Sequence, residues 1–120
     1  MITSRHFTEK EFNKCNPSCS LQDMNQGTID KMDIVRGVAG MPISINSAYR
    51  SPEHDRSKGR SGTGAHAEGK GIDFKCTNSS DRFKIVEACL AAGFTRIGIS
   101  STFIHADDSN THVQRVIWTY

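Results

Sequence analysis

The sequence has no long apolar run and no concentrated block of positive charge. Its N-terminus reads MITSRHFTEKEF, which contains neither an apolar h-region nor a small-residue cleavage site. The apolar stretches are short and interrupted, so we expect no membrane span and no membrane partner. The formal charge of +2 is spread along the chain, which argues against a nucleic-acid-binding arm.

Cysteine is scarce, and its spacing excludes a structural zinc ribbon. The four residues Cys15, Cys19, Cys76 and Cys89 do not form two CxxC pairs. Cys76 closes a strand pattern and Cys89 lies on the apolar side of a helix pattern, so we expect both to be buried small hydrophobes. Cys15 and Cys19 fit a disulfide, a second metal site or neither, and the missing signal peptide favours reduced thiols.

The length and composition are those of one globular domain. The chain has 120 residues, of which 36% are hydrophobic and 23% charged. Two cores within this length would each be too small to be stable. We therefore expect residues 1–120 to form a single domain, and we expect a monomer.

The first part of the chain contains two helix patterns and one strand pattern. Thr8 and Glu11 have capping-box spacing, which predicts a short helix over 8–14 that ends at Asn16-Pro17. A second helix is predicted over about 28–38, stopped by Gly37 and Gly40. Its apolar residues at helical spacing are Ile29, Met32, Ile34, Val35 and Val38. Residues 43–47 alternate between apolar and polar, which predicts a half-buried strand.

The remaining residues predict a long loop, one helix and several strands. Residues 51–70 are polar and rich in Gly and Ser, which is typical of a functional loop. A strand is predicted over 71–76, and a helix over 79–92 opens at Ser79-Ser80-Asp81. The apolar side of that helix is predicted to carry Phe83, Val86, Cys89 and Leu90. Strand-like runs follow at 96–100, 103–107 and 113–120. We expect an α+β fold, a mostly antiparallel four-stranded sheet with helices packed on one face.

Side chains that can bind metal are concentrated in the segments 64–73 and 103–108. His66 ends the polar loop, and Asp73 lies in a strand whose apolar neighbours point the other way. Zinc favours imidazole and carboxylate ligands, and catalytic sites use three of them and leave the fourth position for water. His66, Asp73 and His105 meet that requirement.

Each of these residues also has a plain structural interpretation. His105 and Asp107 share one strand face, which describes either an acid close to metal-bound water or an ordinary solvent-exposed surface. Asp73 also fits a carboxylate that faces a turn. We interpret the other histidines as solvated, and these are His6, His54 and His112.

Three motifs occur in a fixed order along the chain. They are Ser47-Ala48-Tyr49-Arg50-Ser51-Pro52, His66-x-x-Gly69-x-Gly71-x-Asp73 and Phe103-Ile104-His105-x-Asp107. Together they resemble the zinc D-Ala-D-Ala carboxypeptidase and L-alanyl-D-glutamate peptidase family. The segment Phe7-Thr8-x-x-Glu11-Phe12, the pair Gly98-Ile99 and Trp118 are similar to its small single-domain branch, found in phage endolysins. The similarity covers nearly the whole chain.

This resemblance implies a hedgehog-type fold and a zinc site with His66, Asp73 and His105 as ligands. It also implies that Arg50 helps to bind substrate, and a surface or fold-stabilising salt bridge is the alternative for Arg50. The expected activity is hydrolysis of peptide bonds in bacterial peptidoglycan, in the stem peptide or the cross-link. Because no signal peptide is visible, we expect synthesis in the cytoplasm, with a phage-infected host as one alternative, and action on the cell wall after release.

Two positions depart from the family pattern. Gly71 stands where many members have Ala, and Thr102 stands three residues before His105, where several members carry their general base. Asp107 is therefore our candidate base. The weaker substitutes are Asp108, Glu68 and His54.

Two other classes of function remain open at the level of sequence. One is a non-catalytic zinc-containing binding module, as in the hedgehog signalling domains, because fold and metal do not guarantee turnover. The other is a structural phage or wall protein that uses the scaffold for adhesion. For an enzyme, the bond cleaved stays open, and we expect its specificity to lie in residues 51–65.

Overall fold

The computed structural model describes residues 1–13, 20–50 and 64–120. Two short 3-10 helices precede helix α1, which spans Gln26–Ala39, and helix α2 spans Ser79–Ala92. The 3-10 helices are Glu9–Glu11 and Leu21–Asp23. The strands are β1 (Ile45–Ser47), β2 (Gly71–Lys75), β3 (Arg96–Ile99), β4 (Phe103–Asp107) and β5 (Val116–Thr119). No helix within these ranges is both long and apolar enough to span a membrane.

The helix ends follow from local capping. Asn25 and Asn78 accept hydrogen bonds from the backbone in the first turns of α1 and α2, and Gly40 and Gly93 end the two helices in the left-handed conformation. The sequence prediction that Gly37 stops the first helix is wrong, because that residue lies inside α1 with open space around it.

The capping box predicted near the N-terminus is present. The Glu11 carboxylate accepts the backbone N–H of Thr8, but the helix that follows is a single 3-10 turn. The predicted end of that helix, and the question of a Cys15–Cys19 pair, lie outside the described residues.

The sheet confirms an α+β, mostly antiparallel architecture but has five strands rather than the predicted four. The strand order is β1-β2-β4-β3-β5. All pairings are antiparallel except that of β3 with β5, which is parallel. The final strand, β5, therefore lies at one edge of the sheet, next to β3.

One face of the sheet forms the core with both helices. The buried side chains of the three central strands on this face are Ile72, Phe74, Ile97, Ile104 and Ala106. They belong to one apolar cluster with Ile29, Met32 and Val35 of α1 and Ile85, Ala88 and Cys89 of α2. Because side chains alternate along a strand, the opposite face of the same strands carries the polar residues.

Helix α2 buries only part of the predicted stripe. Cys89 is buried and Val86 packs against the core as predicted, but Phe83 is 69% exposed and Leu90 is 53% exposed, and Ile85 and Ala88 are buried instead. The buried stripe contains small residues at helical spacing, so α2 packs closely against the sheet and against α1. The predicted burial of Cys76 and Cys89 is confirmed, and neither is in a disulfide.

Candidate metal centre

A single row of residues crosses the polar face of the sheet. Asp73 of β2 pairs with His105 of β4, which pairs with Gly98 of β3, which pairs with Trp118 of β5. Residues in register on neighbouring strands project from the same face. Two of the predicted metal ligands are therefore brought together by strand register, although 32 positions separate them in the chain.

The third predicted ligand, His66, is placed by a tight turn before β2. The backbone N–H of Lys70 donates to the carbonyl of Ala65, and the N–H of Gly69 donates to the carbonyl of His66. Gly69 has φ of +74°, and a Cβ there would lie 2.5 Å from the carbonyl oxygen of Asp23. This turn therefore requires glycine, and it aims His66 at the row.

The three side chains converge on one small volume. Asp73 Oδ1 lies 2.9 Å from His105 Nδ1 and 3.4 Å from His66 Nε2, and all three donor atoms lie within 4.8 Å of one another. Donors in a tetrahedral zinc site, each about 2.0–2.1 Å from the ion, are separated from one another by roughly 3.3 Å. The described residues therefore fit a zinc ion in donor type, and both separations from Asp73 lie close to the tetrahedral value.

The second ring nitrogen of each histidine is held by an acceptor. His66 Nδ1–H donates to the Ala48 carbonyl at 2.7 Å, and His105 Nε2–H donates to Asp107 Oδ2 at 2.6 Å. Since a carbonyl or carboxylate oxygen can only accept, these bonds leave His66 Nε2 and His105 Nδ1 for the metal.

Electrostatics suit a cation at this position. Burial alone would raise the pKa of Asp73, but its bonds with His105 and His66 outweigh burial and hold that pKa well below the usual range. Burial lowers the pKa of His105, whereas Asp107 and Asp73 raise it, and the net change is upward. Zinc would take the place of the proton between His105 Nδ1 and Asp73 Oδ1.

Asp107 is fully buried, and both of its carboxylate oxygens have partners. Its Oδ2 accepts from His105, while its Oδ1 lies 2.9 Å from Arg96 Nε and accepts the backbone N–H of Ser109. This geometry suits a group that orients His105 better than one that takes a proton from water. The predicted role of Asp107 as general base is therefore not favoured by its surroundings.

Arg50 lies beside the three candidate ligands. Its guanidinium nitrogen Nη2 is 3.6 Å from Asp73 Oδ2, its Nε donates to Ser47 Oγ at 3.3 Å, and its backbone N–H donates to the carbonyl of His66. The residue is only 7% exposed and lines the same cleft as the ligands. Arg50 thus adds a positive charge to the cleft, paired with Asp73 as in the salt bridge that the sequence also allowed.

Trp118 forms the wall of the cleft at the β5 edge. Its indole lies against Gly98, where a Cβ would come within 2.7 Å of the ring, and its centroid is 5.4 Å from that of His105. The Arg96 guanidinium lies 5.1 Å from the same ring. Because glycine has no side chain, Gly98 lets Trp118 reach across β3 towards His105.

The other predicted base candidates lie in different places. Asp108 pairs with Lys31 at 2.9 Å and accepts from Thr28, so it ties β4 to helix α1. Glu68 accepts a hydrogen bond from Thr111 at 2.7 Å. His54 is outside the described residues.

Sequence reasoning missed His112 and Arg96, which both line this cleft. His112, which we interpreted as solvated, lines the cleft with the ligands, and Arg96 reaches Asp107. The pairing of β3 with β4 sets Arg96 opposite Asp107, and a turn after β4 returns His112, so neither contact is visible in sequence spacing. Gly98 within a strand pattern was the available signal for the close approach of Trp118.

Comparison with known families agrees with this geometry. The family model described as Peptidase M15 matches residues 5–107, which include all three candidate ligands and Arg50. No curated protein matches the chain at a significant level.

Proposed function

Because the chain belongs to the Peptidase M15 family, a family of zinc metallopeptidases, we propose that it hydrolyses peptide bonds of bacterial peptidoglycan. The observation that carries this proposal is the convergence of His66, Asp73 and His105 beside the buried Arg50. The site has the three protein ligands of a catalytic zinc centre and opens into a cleft of about 230 Å³. We further propose that the protein acts on the wall as endolysins do.

The metal ion and the residues that hold it have separate roles in hydrolysis. When bound, zinc supplies Lewis acidity to the scissile carbonyl and lowers the pKa of the attacking water. His66, Asp73 and His105 hold the ion, and Ala48 and Asp107 fix the two imidazole rings.

Arg50 provides the charge that recognises substrate. A guanidinium binds a carboxylate through two parallel hydrogen bonds and also stabilises negative charge that develops on a carbonyl oxygen. Peptidoglycan stem peptides carry free carboxylates, so the positive charge of Arg50 favours their binding in this cleft. The low exposure of Arg50 strengthens such a contact, because water competes less in a buried site.

The products of digestion test this proposal. Purified peptidoglycan treated with the zinc-loaded protein should release fragments with new amino and carboxyl termini and intact glycan strands, as read by mass spectrometry of muropeptides. The masses also identify the bond cleaved, whether terminal D-Ala, L-alanyl-D-glutamate or cross-link. Cut glycan strands, or no new termini from protein with full zinc occupancy, would contradict the proposal.

A further inference from the structure

The cleft needs a group that moves a proton, and its described acids are otherwise engaged. Thr102 occupies the position three residues before His105 and is exposed on a bend outside the strands. Asp107 is buried against His105 and Arg96, and Asp108 is paired with Lys31. The inference that follows rests on the proposed peptidase function and concerns which residue replaces the missing acid.

His112 is the remaining histidine that the described part of the chain brings to the cleft, which the phenol of Tyr120 also lines. The turn after β4 returns the chain to the polar face of the sheet, and the half-buried His112 lines the cleft with His66, Asp73, His105 and Arg50. Its Nδ1 has hydrogen-bond partners, whereas its Nε2 has none among the described residues. An imidazole nitrogen is thus available to substrate or water.

A chain of hydroxyl groups connects His112 to Glu68. His112 Nδ1 lies 2.8 Å from Ser109 Oγ, which lies 3.1 Å from Thr111 Oγ1, and Thr111 Oγ1 lies 2.7 Å from Glu68 Oε2. A second contact of 3.1 Å joins His112 Nδ1 directly to Thr111 Oγ1. The distances are those of hydrogen bonds along the whole chain.

The direction of these bonds follows from the carboxylate at the end. Because a carboxylate oxygen can only accept, the Thr111 hydroxyl donates its one proton to Glu68 and accepts a hydrogen bond from Ser109. The Ser109 hydroxyl therefore donates to Thr111 and accepts from His112 Nδ1–H. If Ser109 instead donated to His112 Nδ1, no proton would be left for the hydrogen bond between Ser109 and Thr111. The hydrogen bonds therefore favour the tautomer with a lone pair on His112 Nε2.

We propose that His112 is the general base and acid of the hydrolysis. Its Nε2 takes a proton from the attacking water as the new C–O bond forms, and returns that proton to the amine nitrogen as the C–N bond breaks. No oxidant or further reactant is needed, and the products are one amine and one carboxylic acid. Ser109, Thr111 and Glu68 are positioning residues that fix the tautomer and orientation of the ring.

The decisive experiment compares His112→Gln with wild type and with His6→Gln, which alters an exposed histidine away from the cleft. Each zinc-loaded protein is assayed on purified peptidoglycan, with zinc content and thermal unfolding measured in parallel. We expect His112→Gln to retain zinc and melting temperature and to lose about 10²–10⁴-fold in kcat. His6→Gln should match wild type.

Two more variants separate a chemical role from a structural one. Added imidazole should restore part of the activity of His112→Ala, because a free base can enter the space that the side chain leaves. Thr111→Val removes one hydroxyl link and should lower kcat while zinc content stays unchanged.

These experiments distinguish failure of the role of His112 from failure of the peptidase proposal. Wild-type activity in His112→Gln, or a loss explained by lost zinc or unfolding, overturns the role of His112 while wild-type cleavage still supports the peptidase. Failure of imidazole to restore any activity to a folded, zinc-loaded His112→Ala also overturns it. Zinc-loaded wild-type protein that cleaves nothing overturns both proposals.

Discussion

The neighbours of Asp107 explain why its charge matters even though it is fully buried. Its carboxylate accepts the Nε2 proton of His105 and faces the Arg96 guanidinium, so a buried anion is compensated on two sides. The carboxylate also decides which nitrogen of His105 is free to bind metal. Groups that orient metal-binding histidines in this way tune affinity as well as geometry.

Replacing Asp107 by Asn separates orientation from base catalysis. An amide can donate to His105 Nε2, which would move the ring proton to Nδ1 and block the metal-binding nitrogen. We therefore expect Asp107→Asn to weaken zinc binding about 10–100-fold, measured by competition with a chelating dye.

A neighbouring acid supplies the matched control. Asp108→Asn removes the same charge one position later, where the partners are Lys31 and Thr28 of helix α1. It should lower stability and leave zinc affinity near that of wild type. Unchanged zinc affinity in Asp107→Asn together with a large fall in turnover would instead restore Asp107 as the base.

At the scale of the element, helix α2 shows that burial depends on the neighbours and not on hydrophobicity alone. Phe83 and Leu90 are more apolar than Ala88, yet they face outward and Ala88 is fully buried. The helix has two apolar stripes, and the one that contacts both α1 and the sheet contains small residues.

Truncation of one residue on each stripe tests this arrangement. Ile85→Ala removes a side chain that is 1% exposed and should lower the free energy of unfolding by about 2–5 kcal/mol. Phe83→Ala, at 69% exposure, should change it by no more than about 0.5 kcal/mol. Urea denaturation of both variants measures the difference, and a larger loss for Phe83→Ala would show that the buried stripe is assigned incorrectly.

The elements themselves were largely predictable from sequence because their signals are local. Apolar spacing and capping identified α1 and α2, and alternation identified β1. The run over 113–120 also indicated the last strand, but its parallel pairing with β3 depends on a contact between distant segments. Local patterns therefore marked five strand-like runs, whereas the predicted sheet of four strands was one strand too small.

The predicted metal ligands could be identified from sequence because three motifs carry them, and the structure brings all three together. The roles of their neighbours could not be identified in the same way. Asp107 stands two residues from a ligand, but the register that sets Arg96 against it decides what its carboxylate does. His112 depends on a turn whose path no periodicity encodes.

At the scale of the whole molecule, the sheet separates the apolar core from the candidate metal site. One face forms the apolar cluster with both helices, and the other carries Asp73 and His105 in register, with Asp107 two residues further along β4. The central strands thus fix the site on a rigid support, while the turn with His66 and the segment with His112 complete it from outside the sheet. Rigid strands hold metal ligands more accurately than loops do.

The most direct test of the central claim is the rate of peptidoglycan cleavage as zinc is returned to the metal-free protein. The rate should rise from baseline and reach a plateau at about one equivalent of zinc, because three ligands form one site. His66→Ala, which lacks one ligand, should stay at baseline over the same range. Full cleavage by the metal-free protein, or by His66→Ala, would contradict a zinc centre at His66, Asp73 and His105.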